Sequence, residues 1–290
     1  MDRHTLSNGR ITATIKADGA ELCSLQNAAG QELLWQAGPA WPRHAPILFP
    51  IVGRLKGDVL HHHGIAYPMT QHGFARDARF DWLERDAESC TLQLQDSAES
   101  LAHYPFSFQL IVSYAVHDDH LAVVYEIANT GDEMMPASIG AHPAFAWPLP
   151  GADDKASHTI VFSDAEPAPI RRVEGGLLRP PSESEPTPVE GGALALSEAL
   201  FVEDAIVIDQ LASTSLRYMA PGAPSIDIAW EGFHQLGIWS KPSGAPFLCI
   251  EPWLGYASQV DFDGEFSQKP GVVHIAIGET RRVVHRIGFT

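Results

Sequence analysis

Along this chain, apolar and polar residues alternate far more often than they recur at helical spacing. The runs RITATIK (10–16), FSFQLIVSYAV (106–116) and HLAVVYEIANTG (120–131) all carry a period of two. In the last of these, Leu121, Val123, Tyr125 and Ile127 share one face, which marks them as core residues. The polar HDDH between the second and third runs predicts a hairpin turn. Further short apolar runs follow at 158–162, 205–209, 225–230, 235–240, 246–253, 272–278 and 281–289. Only SAESLAHY (97–104) reads as a helix, and a short one. Many short strands divided by Gly, Pro and Asp turns predict an all-β fold, a sandwich or a barrel.

One stretch breaks the pattern. Residues 147–193 include SDAEPAPIRRVEGG and RPPSESEPTPVEGG, rich in Pro, Glu, Ser and Gly. Strands of similar character continue on both sides, so residues 1–290 are expected to form one domain. The stretch is then a long surface excursion that contains an edge strand at 158–162.

Composition narrows the function. The formal charge of −17 excludes a phosphate-tracking basic surface, so nucleic acid is not an expected partner. No stretch approaches the roughly 20 apolar residues of a membrane span, and the first residues carry no apolar run of the signal-peptide kind. Cys23, Cys90 and Cys249 are odd in number and widely spaced, which fits a reduced, cytoplasmic compartment. Nothing in the chain distinguishes a monomer from a homodimer.

Four short segments carry candidate chemistry. ASIGAHPAFAWP (137–148) presents His142 among small residues and prolines, too interrupted for a helix. His142 is there either a core histidine bonded to backbone or a side chain offered to a ligand. HHHG (61–64) is expected as a solvated turn, because adjacent side chains on a regular strand diverge and cannot share a metal. QHGFARDARF (71–80) sets His72 and Arg76 about Gly73, whose backbone freedom suits a tight turn. Arg76 either forks a substrate's oxygens or pairs with a structural acid. CIEPWLGYAS (249–258) puts Glu251 at the end of an apolar run, where desolvation raises a carboxyl's pKa toward a catalytic range. Trp239 and Trp253 offer flat faces for a sugar ring, or else belong to the core.

Taken in order, RHAPILFPIVGRL, QHGFAR, YPFSF, IGAHPAF and CIEPWLGYAS resemble the recurring blocks of the aldose 1-epimerase (mutarotase) family across nearly the whole chain. The likeness is greatest to the branch associated with lactose operons, with hexose-6-phosphate 1-epimerases as near relatives. The resemblance implies a large antiparallel β-sandwich of the galactose mutarotase type. It implies an open cleft on a concave sheet face, working on a sugar or sugar phosphate without metal or cofactor. On the matching blocks, His142 becomes the general acid and Glu251 the general base. His72 becomes a partner of the ring oxygen or a neighbouring hydroxyl. Arg76 and Arg43 match substrate-contacting arginines of the hexose-phosphate branch, and Asp204 in LFVEDAIVI matches a hydroxyl-binding aspartate. The long N-terminal blocks of galactose mutarotases proper are missing, which leaves the choice of sugar open.

Two other functions fit the same residues. A glycoside hydrolase or lyase would pair Glu251 with a second acid such as Asp204, across a gap of about 5 to 10 Å. A sugar-binding or regulatory protein would keep the cleft and accelerate nothing.

Overall fold

The alternation in the sequence builds the largest element of the structure, a computed structural model that describes residues 2–290. A nine-stranded antiparallel sheet runs in the order Ala193–Ala195, Thr159–Phe162, Ser215–Met219, Ile226–Glu231, Thr280–Phe289, His120–Asn129, Phe108–Val116, Ser89–Gln95 and Asp81–Arg85. The hairpin expected across 117–120 is present, with Leu121 opposite Val116 and Ile127 opposite Leu110. Its inward face buries Phe108, Leu110, Val112 and Tyr114 against Leu121, Val123, Tyr125 and Ile127. Burying each such side chain contributes about 1.5–3 kcal/mol. A slip of one residue would turn every one of them to solvent, so the register is fixed.

A second antiparallel sheet closes the sandwich. Its order is Ile206–Ile208, Gln235–Trp239, Phe247–Leu254, Ile139–Ala141 and Ile47–Leu48, with Ala144–Ala146 also paired to Phe247–Leu254. Leu248, Ile250 and Leu254 of the central strand share one apolar cluster with Leu121 and Tyr125 of the larger sheet. Cys249, Glu251 and Trp253 alternate with them and face the other way. They are buried too, because all eight residues of this strand are covered. What covers the outward face is a set of loops, and those loops make the site.

Smaller elements mostly follow expectation. The predicted helix is four residues, Ala98–Leu101, started by reciprocal capping between Ser97 and Ser100. All three cysteines are free and buried. Among the described residues no helix is long and apolar enough to cross a membrane.

Three expectations need correction. Thr159–Phe162 is not an edge strand: Ala193–Ala195 folds back and takes the edge position, leaving Thr159–Phe162 paired on both sides. The stretch around it is also more than surface, since Ile170 and Leu178 are buried and Leu178 packs in a cluster with Trp253. A few docking apolar residues outweigh a composition that reads as linker. The histidines at 61–63 are likewise not a uniformly solvated turn. His61 and His62 lie in the strand Val59–His62, and His62 is buried with its ring 4.6 Å from that of Phe106. Only His63 and Gly64 turn the chain into the partner strand Ile65–Pro68.

Candidate active site

The site begins with register. Gly140 of Ile139–Ala141 pairs with Trp253, and Ala144 of Ala144–Ala146 pairs with Cys249, both on the strand Phe247–Leu254. Continuing that register sets His142 directly opposite Glu251. The regular ladder lapses between these pairs, where Pro143 and Pro252 lack an N–H, and the Ile250 N–H donates to the Pro143 carbonyl at 3.3 Å. Side chains directly opposite on one face meet. His142 Nε2 accordingly lies 3.3 Å from Glu251 Oε2, with both residues buried.

Glycine completes the floor. Gly237 is the register partner of Glu251 on its other side. A methyl group at Gly237 would meet the Trp253 ring at 2.3 Å, and one at Gly140 would meet it at 2.6 Å. The indole therefore lies flat across two bare backbones. Laid down so, its Nε1–H donates to Glu251 Oε2 at 3.2 Å. The His142 ring is covered by Trp41, stacked at 5.0 Å, and met edge-on by His72 at 5.6 Å and Trp239 at 6.0 Å.

This packing sets the electrostatics. Burial pulls His142 down to about 3, and the nearby charges of Arg76 and Arg43 act in the same direction. Burial pushes Glu251 well above the usual carboxylate range; the Trp253 N–H opposes that rise and the charge of Asp204 adds to it. Both shifts favour the neutral forms, an imidazole beside a carboxylic acid. Nδ1 of His142 is buried without a hydrogen-bond partner. With both groups neutral, the carboxylic O–H of Glu251 donates to the lone pair of His142 Nε2, the ring nitrogen that faces it.

Over this floor opens a cleft of about 440 Å³. His142, Glu251, His72, Arg76, Asp204 and Trp239 all line it. His72 sits in the left-handed region at φ 66°, followed by Gly73 at φ 71°, where any Cβ would strike the Phe49 carbonyl at 2.2 Å. Its Nδ1 accepts the Gly53 N–H at 3.1 Å, which leaves the proton on Nε2. Burial, with the charges of His142, Arg76 and Arg43, holds its pKa well below the ordinary value, so His72 is a neutral donor. Arg76 donates to the Gln71 carbonyl at 2.6 Å, while its Nε is buried without a hydrogen bond. Burial lowers its pKa to about 10, and it stays cationic at neutral pH. Arg43 does not line the cleft; its guanidinium donates to Asp77 at 2.9 Å.

Several lining residues escaped the sequence reading. Trp41 comes from a Gly- and Pro-rich loop with no periodicity to expose it. Arg54, Gly176 and Leu178 form a further wall, the last two supplied by the 147–193 stretch. The Gly176–Arg54 contact is tight enough that a Cβ would sit 3.1 Å from the Arg54 side chain. The unusually short spacing of Gly175 and Gly176 before an apolar pair was the one available signal.

This β-sandwich, with its open, aromatic-walled cleft, has a fold of the galactose mutarotase type. The chain belongs to the aldose 1-epimerase family, whose pattern matches residues 2–274. It is 31% identical to the plasmid-encoded LacX protein of Lactococcus lactis subsp. lactis over 280 residues, 93% of each chain. A galactose mutarotase related enzyme from Lactobacillus acidophilus has the same fold, with a TM-score of 0.93 and 31% identity over 99% of this chain and 97% of that one. A galactose mutarotase-like protein from Lactobacillus casei ATCC 334 gives 0.91 and 29%, over 99% and 100%. Membership of this family supports an isomerase that acts on a sugar.

Proposed function

We propose that the protein interconverts the α and β anomers of an aldose, with His142 as general acid and Glu251 as general base. The observation that carries this reading is the 3.3 Å contact between the two side chains on the cleft floor. In a cyclic hemiacetal the ring oxygen and the anomeric hydroxyl are bonded to the same carbon. An acid and a base that serve them can therefore be near neighbours. His142 delivers its proton to the ring oxygen and Glu251 takes the hydroxyl proton, so the C1–ring oxygen bond breaks as a carbonyl forms. Rotation about C1–C2 and closure on the other carbonyl face reverse both transfers. The pair needs one proton in total. Moving it from Glu251 to His142 as the sugar's hydroxyls arrive readies both groups without exchange with bulk water. His72 Nε2–H and Asp204 hold hydroxyls, Trp239 offers an apolar face, and Arg43 acts through its charge behind the wall.

That Glu251 touches an imidazole, not a second carboxyl, supports this reading over the two-carboxylate chemistry of glycoside hydrolysis. A phosphorylated aldose is a second reading of the substrate. It rests on Arg76, a cation at the wall whose buried Nε makes no hydrogen bond, although Asp77 Oδ2 lies 3.6 Å from it.

The test is anomer exchange measured by NMR for glucose, galactose, their 6-phosphates and several pentoses. Acceleration by the wild type that vanishes in Glu251→Gln is the expected result. Sugar binding without acceleration would leave a binding or regulatory protein instead. Preference for a 6-phosphate that disappears in Arg76→Gln would select the second substrate reading.

A further inference from the structure

Adjacent residues on a regular strand point to opposite faces, which would keep His62 and His63 apart. His63 is not on a regular strand. It adopts φ 51°, in the left-handed region, at the turn of the hairpin Val59–His62/Ile65–Pro68. The Glu265 carboxylate holds that turn by accepting the backbone N–H groups of His63 at 2.7 Å and Gly64 at 3.0 Å. The reversal swings the His63 ring alongside that of His62, with centroids 4.0 Å apart. His62 is itself fixed against Phe106.

A third group meets them from a different part of the chain. Glu133 Oε1 lies 3.1 Å from His62 Nε2, and Oε2 lies 3.3 Å from His63 Nε2. The loop that carries Glu133 is pinned by Asn129, which donates to the Glu133 carbonyl at 2.7 Å and accepts the Gly131 N–H at 3.0 Å. The three ligand atoms lie within 4.8 Å of one another. A tetrahedral zinc with bonds near 2.1 Å separates its ligand atoms by about 3.4 Å. The two contacts of Glu133, at 3.1 and 3.3 Å, already match that separation.

We propose that His62, His63 and Glu133 form a binding site for a borderline divalent transition metal of the zinc type. Two imidazoles and a carboxylate select zinc, nickel or copper over magnesium and calcium. The His63 side chain is 76% exposed, so water reaches the open side and can supply the fourth ligand. The ion would tie the hairpin to the 129–135 loop. None of its ligands lines the catalytic cleft.

The experiment is calorimetric titration of the chelator-stripped full chain with zinc chloride, paired with the visible spectrum of the cobalt(II) form. One ion per chain and a tetrahedral cobalt spectrum are expected. His63→Asn keeps a side chain that tolerates the left-handed turn, and Glu133→Gln keeps shape. Each is expected to weaken zinc at least about tenfold, with the urea midpoint in chelator retained. Absence of zinc binding by the wild type overturns the proposal. So does binding that survives both substitutions, or that is lost only in Glu251→Gln, which would put the ion among His142, Cys249 and Glu251.

Discussion

Two regions of this molecule hold a histidine against a glutamate at nearly the same distance, and they are chemically unlike. On the cleft floor His142 and Glu251 meet at 3.3 Å, with side-chain exposures of 8% and 2%. At the hairpin His63 and Glu133 also meet at 3.3 Å, with exposures of 76% and 41%. Distance is the same, so what differs is the medium. Behind Trp41, Trp239 and Trp253 the charged forms lose hydration, and both groups are driven toward neutrality while sharing a proton. At the hairpin, water reaches both His63 and Glu133 and their contact is a surface one, although Glu133 also meets the buried His62 at 3.1 Å. The first environment suits the proton transfer proposed for it, and the second the ligand exchange of the proposed metal site.

The largest effect expected from this contrast is on rate. Glu251→Gln preserves shape and removes the proposed base, and anomer exchange is expected to fall by about 10²- to 10⁴-fold. Glu133→Gln, the same chemical change at the other pair, is expected to leave exchange unaltered. Parallel NMR exchange measurements check both. Equal losses would mean that the contrast in burial has no bearing on catalysis.

The next effect is on stability against pH, and its sign separates the buried groups. A histidine whose folded pKa is depressed contributes stability in full above the unfolded pKa, near 6.5, and loses it as pH falls. His285 is the cleanest case outside the cleft. It is buried beside Tyr125, its Nδ1 has no hydrogen bond, and burial lowers its pKa to about 3. Urea unfolding is expected to lose about 1.4 kcal/mol per pH unit for this residue between pH 6.5 and 3. His285→Leu is expected to flatten the profile by that slope. Glu251 carries the opposite sign: its raised pKa contributes stability below about pH 4.3, lost as pH rises.

A smaller effect probes how the cleft pair is held. In Gly237→Ala the new methyl meets the Trp253 ring at 2.3 Å, and the indole must leave its bed. A cost of about 1–3 kcal/mol is expected. Loss of the indole N–H from Glu251 is expected to slow exchange by about ten- to a hundredfold. A variant destabilised but fully active would show that Trp253 packs the floor without orienting the base.

How much of this was legible in the sequence varies with how local the cause is. The Phe108–Val116/His120–Asn129 hairpin was legible because alternation is a local signal and burial follows it directly. Glu251 announced its desolvation through Ile250, Trp253 and Leu254 around it. That His142 faces it depends on a register between strands a hundred residues apart, which only the family likeness suggested. Trp41 and the Gly176–Leu178 wall were hidden, since loops carry no periodicity and their positions are set by what they dock against. Arg43 was expected at the substrate, yet nothing local signalled its partner Asp77. The hairpin histidines were misjudged for a related reason. The divergence rule holds for strands, and one left-handed residue at His63 suspends it.

The smallest effect completes the contrast. In chelator, Glu133→Gln removes a carboxylate that touches two imidazoles, yet water is ready to replace it on the exposed side. Exposed ion pairs are typically worth about 0–1 kcal/mol and are screened by salt. The urea midpoint is therefore expected to shift by no more than that amount, and less at high ionic strength. With zinc present the same substitution is expected to cost the wild type its metal-dependent gain in midpoint. A loss well above 1 kcal/mol in chelator would mean that this pair is stabilised as a buried one is. In that case the open side of the hairpin would not behave as solvent, and the division between the two regions would have to be drawn elsewhere.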